Sequence, residues 1–125
     1  MLMSWEIKSG LPIYTQLLEE LKRRIVSGQY EPGEKLLPVR ELAQEAKVNP
    51  NTMQKALAEL ERQNLVYAVR TTGRYITEDI QLIEQTKDEF AKSHVQTYYK
   101  EMSTLGYEKQ DMVRMITEYN EEDGR

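Results

Sequence analysis

The side chains best suited to do chemistry stand in one short run, Asn51-Thr52-Met53-Gln54-Lys55, directly behind Pro50. Asn51 and Gln54 carry amides that donate and accept, Thr52 a hydroxyl and Lys55 an ammonium. On the first turns of a helix these groups match the edges of paired bases and their phosphates, and the helix N-terminus favours anions. A second candidate is the turn Thr71-Thr72-Gly73, flanked by Arg70 and Arg74. Gly73 removes a side chain where backbone could approach a phosphate or enter a minor groove. Catalysis has no such support. The chain has no cysteine and a single histidine, His94, which excludes thiolate zinc sites, cysteine nucleophiles and histidine-rich metal clusters. No glycine-rich phosphate loop, HExxH or GxSxG sequence occurs. No catalytic residue, metal or cofactor is therefore expected.

The run that carries Asn51 belongs to a longer stretch, Val39–Arg62, whose spacing predicts two helices and a tight turn. Leu42, Ala43 and Ala46 recur at helical intervals, then Met53, Ala56, Leu57 and Leu60 do so again. Pro50 suits the first position of the second helix, because its missing N–H would have no partner there. Asn49 is then a natural N-cap, accepting from the N–H of Thr52 or a neighbour. Ala43 allows two helices to cross closely, and Val48 fills the angle between them. This is the pattern of a helix-turn-helix, with a solvated helical hairpin as the alternative. Lys47 falls where such turns often need positive φ, at a cost of about 1 kcal/mol.

Upstream, Pro12 opens a scaffold helix whose apolar stripe is Ile13, Leu17, Leu18, Leu21, Ile25 and Val26. Ser27-Gly28 ends it, Glu31-Pro32-Gly33 forms a turn, and Trp5 with Ile7 is expected to pack as an N-terminal strap. Downstream, Asn64–Arg70 and Arg74–Thr77 are β-prone runs around a glycine-containing turn, which describes a hairpin. Directly behind a recognition helix, such a hairpin is a wing. The plainer alternative is an edge hairpin with solvated arginines.

Asp79 then caps a long helix with a seam of Ile80, Ile83, Lys87, Phe90, His94, Tyr98, Met102 and Leu105. Gly106 stops it, and Glu108–Tyr119 forms a last amphipathic helix through Met112, Val113, Met115, Ile116 and Tyr119. A helical pair of this size needs a further surface to cover its apolar side, and a second copy of the chain is the simplest source. The expected dimerisation residues are Phe90, His94, Tyr98, Met102, Leu105, Met112, Met115, Ile116 and Tyr119. An alternative is a small-molecule effector held between subunits by Phe90, His94, Tyr98 and Tyr119.

At 125 residues the chain can hold one core and an appendage. Its net charge of −4 is unevenly spread. Residues 1–78 hold 11 basic and 10 acidic side chains, residues 79–125 hold 6 and 11, and the span from Lys47 to Arg74 holds five and two. Binding to double-stranded DNA would therefore be local and strongly salt-dependent. No apolar run reaches the ~18 residues of a membrane span, and Trp5-Glu6-Ile7-Lys8 stands where a signal peptide needs an apolar block. A cytoplasmic protein without membrane partners is expected.

The combination of these elements resembles the GntR family of bacterial transcription regulators. The residues that carry the resemblance are Pro12-Ile13-Tyr14, Ile25-Val26-Ser27-Gly28, Pro32-Gly33, Val39-Arg40-Glu41-Leu42-Ala43, Val48-Asn49-Pro50-Asn51-Thr52 and Gly73-Arg74-Tyr75-Ile76. The short helical tail, with its hairpin at Leu105-Gly106-Tyr107, is similar to the YtrA subfamily, in which the tail serves dimerisation. The resemblance implies a mainly α fold with a small β-hairpin: a winged helix-turn-helix over residues 1–78 and a two-helix dimerisation hairpin over 79–125. It implies DNA contacts at Arg40, Asn49, Asn51, Thr52, Gln54, Thr72 and Gly73, and a regulator, expected to repress, that binds a palindromic operator as a homodimer. A winged helix that binds protein is the rival reading. Three features depart from the family pattern: the usual Leu-Pro-Ser-x-Arg is here Leu36-Leu37-Pro38-Val39-Arg40, so its serine is absent, Thr71 replaces the wing's first glycine, and Lys47 replaces the turn glycine.

Overall fold

A computed structural model describes residues 5–124. In order these form α1 (Ile13–Val26), α2 (Val39–Ala46), α3 (Pro50–Arg62), β1 (Val66–Val69), β2 (Gly73–Ile76), α4 (Ile80–Thr104) and α5 (Lys109–Glu118). This is the expected winged helix-turn-helix followed by C-terminal helices. The chain divides into two compact units, Met1–Lys87 and Asp88–Arg125, with the division inside α4.

The first unit owes its core to the periodicities seen in the sequence. Leu17, Leu21 and Ile25 of α1 pack with Leu42, Ala43 and Ala46 of α2 and with Met53, Ala56, Leu57 and Leu60 of α3. Leu36, Leu65, Val66, Ile76 and Ile83 complete the cluster. Each fully buried leucine or isoleucine contributes roughly 1.5–3 kcal/mol. Ala43 and Ala56 are both buried in this cluster and add little bulk to it. Ile13 departs from the expected stripe. It opens the first turn of α1 and remains 45 % exposed.

Trp5 and Ile7 pack against the core as a strap, as expected. The strap is fastened by Gln16, whose carboxamide accepts from the Lys8 N–H at 2.7 Å and donates to the Lys8 carbonyl at 2.9 Å. Beneath it lies Arg24, almost wholly buried. Its Nε donates to the Glu20 carboxylate at 2.9 Å, its Nη1 lies 3.4 Å from the Tyr30 hydroxyl, and its guanidinium sits 3.9 Å from the centre of the Trp5 ring. A buried cation is tolerable only with such partners, and the nearby carboxylate and ring faces supply them.

Both helices of the helix-turn-helix end on a left-handed residue that is not glycine. Lys47 has φ +57°, and the Val48 N–H closes onto the Ala43 carbonyl at 3.0 Å. After α3, Asn64 has φ +63° while the Leu65 N–H donates to the Leu60 carbonyl at 3.0 Å. These six-to-one closures satisfy helix-end carbonyls. Asparagine tolerates that conformation better than lysine.

β1 and β2 pair antiparallel, Val66 opposite Ile76 and Val69 opposite Gly73. The segment Glu34–Leu36 adds itself to β2 on the other side. Leu36 N–H donates to the Arg74 carbonyl and Ile76 N–H to the Glu34 carbonyl, both at 2.9 Å, and Lys35 bridges to Tyr75. The sequence predicts only a turn in this region, since three residues are too few to display strand alternation.

α4 starts as expected, with the Asp79 carboxylate accepting from the Leu82 N–H at 3.1 Å. It ends at Gly106, whose φ of +93° lets the Tyr107 N–H reach the Met102 carbonyl at 3.2 Å. In the second unit α5 begins at Glu108, whose N–H donates to the Asp111 carboxylate at 2.9 Å. Met112 is buried, and the Tyr98 hydroxyl donates to its carbonyl at 3.2 Å.

Lys47→Gly should relieve the left-handed strain and stabilise the protein by about 1 kcal/mol. Urea unfolding checks this, and an unmoved midpoint would show that the turn stores no strain.

Candidate nucleic-acid interface

α3 has two faces of opposite character. Met53, Ala56, Leu57 and Leu60 are buried to within about 1 % of their surface. Asn51, Gln54, Lys55, Ala58 and Arg62 lie at steps of three and four on the outside, all exposed. The side chains of Asn51, Gln54 and Lys55 make no hydrogen bond or ion pair among the described residues, so their donors and acceptors are free for a ligand. Thr52 is half-buried at the margin of this face.

Asn49 caps α3 as expected, through the amide of Asn51. Its Oδ1 accepts from the Asn51 N–H at 2.7 Å, while the Thr52 N–H turns back to the Asn49 main-chain carbonyl at 3.0 Å. Pro50 at the first helical position has no N–H to place, and Asn51 at the second supplies the amide that such a cap takes. The cap occupies the Asn49 oxygen and leaves its NH2 group.

Arg40 is exposed in the first turn of α2. Pro38 precedes that turn, and no side chain caps it with a hydrogen bond. On the wing, Arg70 and Thr72 are exposed at the tip, where the Thr72 N–H donates to the Val69 carbonyl at 3.1 Å. Gly73 has φ +122°, a conformation that requires glycine for local reasons. Lys35 lies alongside, its Cε 3.4 Å from where a Cβ on Gly73 would stand. Lys35 is absent from the sequence-derived site, because only the added strand brings it to the wing.

Two of the expected cations are already engaged. Arg62 pairs with Glu59 on its own helix, with its Nε 2.8 Å from a carboxylate oxygen. That guanidinium, aided by the Gln63 amide, holds the Glu59 carboxyl down to about 2. Arg74 pairs with Glu61 at 2.8 Å. Among the described residues Arg40, Lys47, Lys55 and Arg70 make no ion pair on this face, and Lys35 lies beside them.

The tail residues also divide. Met112 is buried inside the helical pair, and Tyr98 and Met102 are half-buried there, so these three pack within the chain's own hairpin. Phe90 is half-buried with its ring 5.0 Å from that of His94, which is exposed. Leu105, Met115, Ile116 and Tyr119 are exposed. Val95, Tyr99 and Val113 are exposed as well, at 66, 51 and 58 %. Together with His94, Met112 and Ile116 they line a groove of about 550 Å³. Val95 escapes the sequence reading because the seam through His94 passes one residue to its side. Among the described residues no helix is long and apolar enough to cross a membrane, and no group of acidic residues and histidine is placed to hold a metal ion.

Comparison with known proteins fits this geometry. The family of bacterial regulatory proteins designated gntR matches residues 13–76. The HTH-type transcriptional regulator YhcF of Bacillus subtilis is 34 % identical over 93 % of this chain and 96 % of its own length. The HTH-type transcriptional repressor YtrA of the same organism is 43 % identical over 58 % of this chain and 55 % of its own. A GntR family transcriptional regulator from Listeria monocytogenes superposes with a TM-score of 0.84 at 42 % identity, over 90 % of this chain and 99 % of that one. The AraR DNA-binding domain, solved in complex with operator ORE1, matches with a TM-score of 0.51 at 34 % identity over 54 % of this chain and 82 % of that one.

Asn49→Ala should remove the α3 cap and destabilise the protein by about 1 kcal/mol, while Asn49→Asp should keep the cap. Thermal unfolding separates the two; equal losses would show that the 2.7 Å contact carries no stability.

Proposed function

The chain belongs to the gntR family of bacterial regulatory proteins, transcription regulators with a DNA-binding winged helix-turn-helix, and on that premise we propose that it is a YtrA-like repressor that binds a palindromic operator as a homodimer. Residues 1–78 read DNA and residues 79–125 hold the two copies together, in the cytoplasm. The observation that carries this reading is the outer stripe of α3. Asn51, Gln54 and Lys55 project from a helix whose other face is locked into the core, free of internal partners.

In this scheme Asn51 and Gln54 offer amides to base edges in the major groove, and Thr52 and the Asn49 NH2 contact its margin. Lys55 and Arg40 take phosphates, and the uncapped start of α2 adds main-chain N–H groups. Arg70 and Thr72 approach the neighbouring backbone or minor groove at the wing tip, where Gly73 permits a close fit. The exposed apolar face of Val95, Tyr99, Val113 and Ile116 supports pairing of two copies through the tail. Leu105, Met115 and Tyr119 extend that face. The groove of about 550 Å³ lies within the size range of small-molecule sites, which favours an apolar effector there as a second reading.

Selection of bound sites from random duplex DNA should return an inverted repeat, and the protein should sediment as a dimer. Recovery of no enriched sequence would sink the DNA reading. Arg40→Ala should lower the slope of log affinity against log salt by about one unit. Asn51→Ala should relax preference at one or two bases at a cost of roughly 1–3 kcal/mol, rather than weakening all sequences alike. Ile116→Glu should yield monomers; an unaltered sedimentation profile would place the interface elsewhere.

A further inference from the structure

From sequence, Arg74 is a wing-tip arginine expected at DNA. We propose instead that Arg74 is a positioning residue, which holds the wing against the end of α3 through Glu61. The inference rests on the DNA-binding role proposed above.

Strand alternation puts Arg74 on the same face of the hairpin as Val66 and Ile76, both buried. Its cross-strand partner on that face is Ala68, a small residue that leaves room for a long side chain. From there the guanidinium reaches the last turn of α3, where Nε meets a Glu61 oxygen at 2.8 Å. The two side chains are only 21 % and 30 % exposed, so water competes weakly for either charge. The main chain of Arg74 is held too, its carbonyl accepting from Leu36 N–H at 2.9 Å. Arg70 provides the contrast. It stands exposed at the tip and makes no ion pair among the described residues.

Glu61 supplies the other half of the reasoning. It lies seven residues beyond Gln54, two turns along the same helix, and a bare carboxylate close to a phosphate backbone would repel it. Paired with Arg74, it becomes neutral towards DNA and mechanically useful. The helix that reads bases and the hairpin that grips the flank then share one fixed angle. Arg62 and Glu59, both on α3, cannot do this, because their pair joins a helix to itself.

The test uses the full chain carrying Glu61→Gln, Arg74→Gln or both, with three readouts: affinity for the selected operator, its salt dependence, and amide exchange of the wing. Each single variant should bind about tenfold more weakly, and the double variant no worse than the weaker single. The salt slope should stay that of the parent, and the amides of Thr72 and Ile76 should exchange faster in both singles. Two results would overturn the inference: Glu61→Gln binding as tightly as the parent or better, or Arg74→Gln lowering the slope by about one unit, the mark of a phosphate contact. If the parent binds no duplex, the DNA reading fails by itself. Wing exchange still decides the latch, since unchanged exchange in both variants means that no latch exists.

Discussion

The nucleic-acid face depends on one constraint: a thirteen-residue helix must give up a whole side to the core so that the other side is held still in water. Met53, Ala56, Leu57 and Leu60 meet it by sinking almost completely among α1 and α2. Their fit depends on small residues as much as large ones. Ala43 and Ala56 are both buried in that cluster, and overpacking at such positions costs about 1–3 kcal/mol. The amides of Asn51 and Gln54 inherit their aim from that contact, since their own side chains make no hydrogen bond among the described residues. Rigid support beneath a polar surface is what allows a few groups to discriminate between bases.

Electrostatics follow the same economy of parts. The chain as a whole is acidic, at −4, and the acid is concentrated in residues 79–125. Attraction to a polyanion therefore cannot come from a broad field and has to come from a handful of cations at close range. Internal pairing reduces that handful further, because Arg62 answers Glu59 and Arg74 answers Glu61. What stays free is spread over α2, the turn, α3 and the wing tip, one residue to each. Such a layout favours contact in one docking pose over loose association along any duplex.

Most of the fold was legible because it obeys simple periods. Spacings of three and four located α1, α2 and α3, Ser27-Gly28 marked the end of α1, and Asn49-Pro50 marked the start of α3. Asn49 was recognisable as a cap from its place before Pro50, and its oxygen takes the N–H of Asn51, the second helical residue. The features that escaped are those without a period. Glu34–Leu36 becomes a strand only because β2 offers it an edge, and no local pattern announces this. Arg24 is a charged residue on a helix, which reads as solvent-facing until Glu20, Tyr30 and Trp5 close around it. In the tail, sequence could mark apolar positions but could not divide those that pack inside the hairpin, such as Met112, from those left open, such as Val95. That division depends on the roll of one helix against another.

Trp5 has a practical corollary. It is the sole indole in the chain, and it lies against a guanidinium while its Nε1 donates to Glu45 of α2 at 3.4 Å. Its ultraviolet emission is therefore a built-in gauge of whether the leading segment is seated on α1 and α2. The same signal is silent about the tail, because residues 88–125 carry no tryptophan.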